Sequence, residues 1–196
     1  MKKLNKTDPD KLITLLRSEV GEIIESWIVY NYYNTQAYKL QTTNILEDQQ
    51  NPELQVLNIT RRKFKNDIIL RITELSSADY KTINFHYASD KFKVHKEEIK
   101  SFRNYLKEKN LIFNRNKNIA HKAFSTSRNQ LTPNPVIRNI VLLKSIGWAI
   151  RIMKKFDEVY YGRDYRKIWK EERKLRYKLD MPAGPKYMLL SLHVNL

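Results

Sequence analysis

Residues able to carry chemistry are few in this chain. Cys is absent, which removes disulfides, thiol catalysis, iron–sulfur clusters and cysteine-based zinc sites. Of the four His, His86 falls in a segment without clear pattern, His95 opens a helix and His193 lies in the C-terminal tail. No two His stand three to five residues apart and there is no H-E-x-x-H, so neither a metal nor another cofactor is expected. His121 keeps different company: Phe113-Asn114-Arg115-Asn116-Lys117-Asn118-Ile119-Ala120-His121. Imidazole titrates near neutrality, which suits His121 to general acid–base work. Guanidinium stays charged and meets phosphate oxygens with a planar fork, which suits Arg115 to stabilising a phosphorane. Asn116 is placed to orient either side chain. Lys117 and Lys122 flank the pair and can hold neighbouring phosphates.

These residues need a scaffold that brings them together. On a straight helix, six positions at about 100° each leave Arg115 and His121 roughly 120° apart. Either the backbone bends or two chains share the site. Four Asn between 110 and 118 favour a bend, because Asn side chains compete for backbone hydrogen bonds. The rest of the chain reads as helices. The first runs from about Asp8 to Tyr38, with Thr7 or Asp8 as cap and Leu12, Leu16, Val20, Ile23, Trp27 and Tyr30 in one stripe. Asn51-Pro52-Glu53 opens a second helix to about Leu75, with Leu57, Phe64, Ile68, Ile72 and Leu75 inward. Residues 76 to 90 are the least legible. A third helix starts near Val94 and weakens at Lys109-Asn110, and residues 126 to 135 read as a loop. Asn134-Pro135 repeats the opening signature, and Val136, Ile140, Leu143, Ile146, Ala149, Met153, Phe156 and Tyr160 form the next stripe, ended by Gly162. A last helix from about Arg163 to Leu179 carries eight Lys and Arg up to Lys178.

This is an all-α bundle of four to five helices. Residues 1–162 form the bundle, and residues 163–196 add a basic C-terminal helix and tail packed on the same domain. The 196 residues suit that size, and four Gly leave neither a phosphate loop nor a dinucleotide fingerprint. Thirty-seven Lys and Arg against 21 Asp and Glu give a net charge of +16. A field of that sign draws polyanions, because their phosphates release counterions on binding. No signal peptide and no stretch able to span a bilayer is read, so a cytoplasmic protein without membrane contact is expected.

The pattern Arg115-Asn116-x-x-x-Ala120-His121, set late in a helical bundle and followed by a long helix, resembles the motif of the HEPN superfamily. The resemblance is motif-grade over these seven residues and extends to about residue 160 as a bundle. It implies a metal-independent endoribonuclease, of the kind found in toxin–antitoxin pairs and abortive-infection or anti-phage defence. The implied partners are RNA, a second copy of the chain, and an antitoxin or defence-system protein. Arg115, His121 and Asn116 are then the catalytic set, with His121 as acid or base in attack by the 2′-hydroxyl, giving a 2′,3′-cyclic phosphate. A homodimer would place two His and two Arg in one cleft. Lys117, Lys122, Arg128, Lys170, Arg173 and Lys174 are the expected RNA contacts. The Tyr that some HEPN toxins carry two residues after the His, where an antitoxin modifies it, is here Ala123. The same charge would also serve a catalytically inert helical module that binds nucleic acid or a protein.

Overall fold

Asn51 shows how local signals start these helices. Its side chain accepts from the backbone N–H of Glu53 at 2.9 Å and of Leu54 at 3.3 Å, and Pro52 follows with no N–H to satisfy. In this computed structural model, residues 8–43, 51–79, 82–116, 136–162 and 167 are described. Their elements are α1 (Pro9–Thr43), α2 (Pro52–Leu75), α3 (Phe85–Phe92), α4 (Lys96–Glu108), α5 (Leu111–Asn114) and α6 (Asn139–Tyr161). All are helical, so the chain is an all-α bundle, and none is long and apolar enough to cross a membrane. The last helix and tail expected from residue 163 lie outside the described residues, apart from position 167.

Helix α1 is the spine. Asp8 caps it by accepting from the Asp10 N–H at 3.2 Å, and it runs five residues beyond the expected end at Tyr38. It packs along α2 and against α6, while α4 closes on α3, α5 and α6. All six residues of its expected stripe are buried, Leu12, Leu16 and Ile23 completely. Ile68, Ile72 and Leu75 of α2 and Ile99, Phe102 and Leu106 of α4 meet them in one core. Phe85 lies at its centre, 6.1 Å from Phe156 and 6.4 Å from Phe102 between ring centroids. A second cluster, Ala37, Leu54 and Leu57, ties the far end of α1 to the start of α2. Phe64 is half-buried and stacks on Tyr33.

Two elements differ from their local signals. The illegible stretch after Ser76 holds α3, capped by Asn84, whose side chain accepts from the Tyr87 N–H at 2.8 Å. The third helix ends where its pattern weakens, at Lys109-Asn110, and a further short helix follows it. Asn110 takes a left-handed conformation, α5 follows, and the backbone widens into a π-type turn at Arg115 and Asn116. Helix α6 begins at Asn139, not at Asn134-Pro135; its expected stripe holds from Ile146 to Phe156, all four of whose members are fully buried, and fails only at its start. Val136 is 87% exposed and Ile140 53%, while Ile137 and Leu142 are buried in their place. The reason is tertiary. The Ile137 carbonyl accepts from Lys65 Nζ at 2.6 Å and does not receive the Val141 N–H, which goes to Arg138 instead. Arg138 stays extended, at φ −72° and ψ 146°, and the helix starts after it. Gly162 ends α6 at φ 60°, a conformation that suits glycine.

Candidate nucleic-acid interface

Arg115 follows α5 at the edge of the bundle. The left-handed Asn110 turns the chain out of α4, and the buried Asn114 anchors the new turn by donating from Nδ2 to the Asn110 carbonyl at 3.0 Å. The Arg115 side chain is about one-third exposed. Its Nη2 stands 3.9 Å from Glu74 Oε1 at the end of α2, a long ion pair, and its buried Nε has no hydrogen-bond partner among the described residues. Asn116 beside it is exposed. Of the expected site residues, these two are described. His121, Lys117, Lys122, Arg128, Lys170, Arg173 and Lys174 lie outside the described residues.

One residue before Arg115, Asn114 lines an open cleft of about 910 Å³ between α1, α2 and the start of α6. Val136 lines it too, so the two ends of the segment that carries His121 border one cavity. Four cations, Arg61, Arg62, Lys65 and Arg138, face it, and among the described residues no Asp or Glu does. None of the four has a carboxylate partner among the described residues. Three acids of the α1–α2 pair are engaged elsewhere: Arg71 takes Glu19, Glu22 and Asp67, and Ser26 donates to Asp67 at 2.7 Å.

The cleft's polar groups are partly preset. Lys65 is half-buried, and that burial, reinforced by the Arg61 charge, holds its ammonium below the usual lysine range. Burial pushes the Tyr30 phenol up, against a hydrogen bond to Asn139 and the Arg61 charge. The phenol therefore stays protonated and donates to Asn139 Oδ1 at 2.7 Å. Arg61 donates to Asn34 Oδ1 at 3.3 Å. In both Asn side chains the oxygen is used and the amide N–H donors remain. Asn58 Oδ1 is buried without a partner. The first turn of α6 has no side-chain cap, so its free N–H groups and positive dipole end add to the same field.

The run Arg61-Arg62-Lys63-Phe64-Lys65 was the sequence signal for this cleft. It is masked there by its helical setting, where a basic run also reads as a solvated face. Elsewhere, His86 and His95 each bury an Nε2 without a partner, and the His95 ring stands edge-on to Phe156 at 5.6 Å. Neither borders the cleft. Among the described residues, no group of three or more acidic or His side chains is placed to hold a metal ion. No protein-family model matches the chain, and neither a curated protein nor a solved structure shows significant similarity to it.

Proposed function

We infer that this protein is a metal-independent endoribonuclease of HEPN type, with Arg115 and His121 as its catalytic pair. The supporting observation is the position of Arg115: it follows a helix break, next to a residue that lines a basic cleft. His121 comes five residues after Asn116. Even a fully extended chain keeps it within about 18 Å of that residue. In the reaction, a His takes the proton from the 2′-hydroxyl, and that oxygen attacks phosphorus. The 5′-oxygen leaves with a proton, and the product ends carry a 2′,3′-cyclic phosphate and a 5′-hydroxyl. Arg115 supplies positive charge where the phosphorane gains negative charge. One His per chain does not readily serve as acid and base in the same step, so a homodimer is part of the proposal. The biological setting proposed is a toxin or anti-phage defence effector.

The test is cleavage of single-stranded RNA by purified protein in EDTA, with the product ends analysed for cyclic phosphate. Wild type that leaves RNA intact overturns the reading and favours an inert binding module. Sedimentation mass checks the shared site: a strict monomer that cleaves would remove the dimer from the mechanism.

A further inference from the structure

We propose that the cleft between α1, α2 and the start of α6 is a binding site for single-stranded nucleic acid, with Arg61, Lys65 and Arg138 on the phosphodiester backbone and Asn34, Asn58 and Asn139 on base edges. The charge argument comes first. Four cations share this cavity, and no acidic side chain among the described residues lines it. Like charges held close in a partly desolvated site repel, and a fold that keeps them there gains when an anion enters. Lys65 and Arg61 stand near enough for the charge of one to disfavour the charge of the other. The neighbouring segment 117–135 offers no relief. It contains Lys117, Lys122 and Arg128 and no Asp or Glu.

The lining also separates a nucleotide chain from a bare phosphate. A phosphate site is small and is filled by cation forks and backbone N–H groups. This cleft is far larger: about 910 Å³ stands near the upper end of the range that encloses drug-sized ligands. Apart from the Tyr30 hydroxyl, its remaining polar side chains are carboxamides, which carry a donor and an acceptor side by side and match the edges of unpaired bases. Asn34 and Asn139 have their oxygens turned to Arg61 and Tyr30, which leaves donors for base oxygens and ring nitrogens. Asn58 offers the complementary group, a buried acceptor with no partner among the described residues.

This inference does not depend on cleavage by Arg115 or His121, and its test separates the two. Binding of a short fluorescent single-stranded RNA is measured by anisotropy in the His121→Ala protein, so that the ligand stays whole. The Arg61→Ala/Lys65→Met/Arg138→Ala triple variant in that background is expected to bind about tenfold more weakly or worse. Its salt slope should fall by about 2, since each phosphate contact on a single strand contributes about 0.7. Lys100→Ala, at an exposed position on α4 outside the cleft, should bind as the parent does. Because Lys65 also holds the Ile137 carbonyl, the Arg61→Ala/Arg138→Ala pair is tested alongside, with helix content checked by circular dichroism. Crosslinking of 4-thiouridine RNA to the His121→Ala protein, followed by peptide mapping, should mark residues 58–66 and 138–139. Unchanged affinity and slope in both variants, or crosslinks that avoid these peptides, would overturn the proposal. So would full displacement of RNA by millimolar inorganic phosphate, which would make the cleft a simple anion site.

Discussion

Arg17 on α1 and Asp157 on α6, separated by 140 residues in sequence, form a two-point ion pair inside the bundle. Arg17 Nη2 stands 2.5 Å from Oδ1 and Nε stands 3.3 Å from Oδ2. Asp157 is fully buried and Arg17 is 7% exposed, with its guanidinium 5.3 Å from the centre of the Tyr161 ring. Removing one partner strands the other charge away from water. Arg17→Ala and Asp157→Ala should therefore each cost about 3–5 kcal/mol of stability. The Arg17→Met/Asp157→Leu double variant should cost less than either, because no charge is left behind. Urea unfolding measures all three. A double variant as damaged as the sum of the singles would contradict this account.

Cleavage should depend on Arg115 and His121 while folding does not. A single positioned His contributes about 10²–10⁴-fold to catalysis, so His121→Ala should slow RNA cleavage by at least that range. Arg115→Ala should do likewise, and Arg115→Lys should restore little, because the planar fork is lost. Arg115 has only a long, half-exposed ion pair with Glu74, so the unfolding midpoint of Arg115→Ala should stay near that of wild type. Alanine variants that cut as fast as wild type would end the ribonuclease reading.

The basic C-terminal stretch should add affinity without sequence preference. Lys170, Arg173 and Lys174 belong to a run whose excess positive charge is +5 between 163 and 178. Reversing the three to Glu should weaken RNA binding and flatten its dependence on salt. An unchanged salt slope would make this an ordinary solvated face.

His86 should give the fold a pH dependence of a defined sign. Burial first, and then the charge of Arg103, hold its pKa below the ordinary value of 6.5, against the pull of Asp90. The unfolded chain then takes up the proton before the folded one does. Stability is complete above the unfolded value and falls as the pH drops through it, until the folded pKa is reached. Urea midpoints between about pH 8 and about pH 5 should decline more steeply for wild type than for His86→Gln. Carboxylates act on both proteins alike, so the difference between the two curves isolates the imidazole. Parallel curves would show that His86 is protonated as easily in the fold as outside it.

Sequence alone determined those features whose interactions close within a turn or along one face. Asn51-Pro52-Glu53 starts α2 because the cap bonds reach only two and three residues ahead. The stripe from Leu12 to Tyr30 is buried because a spacing of three and four puts those side chains on one side of any helix. Gly162 ends α6 because the required conformation suits glycine. The break before Arg115 was legible in the density of Asn, although the left-handed residue turned out to be Asn110. Tertiary structure decided what depends on distant partners. Asn134-Pro135 is a sound local start, yet the helix begins at Asn139, because Lys65 on α2 takes the Ile137 carbonyl and holds the chain extended there. Arg17 and Asp157 lie 140 residues apart, and only the packing of α1 on α6 buries them as a pair. The cleft is the clearest case. Asn34, Asn58, Arg61, Lys65, Asn114 and Arg138 are scattered over about a hundred residues, and each taken singly is an ordinary polar position. Their common field exists only where three helices converge, because electrostatic attraction for a polyanion depends on distances in space that no local spacing encodes.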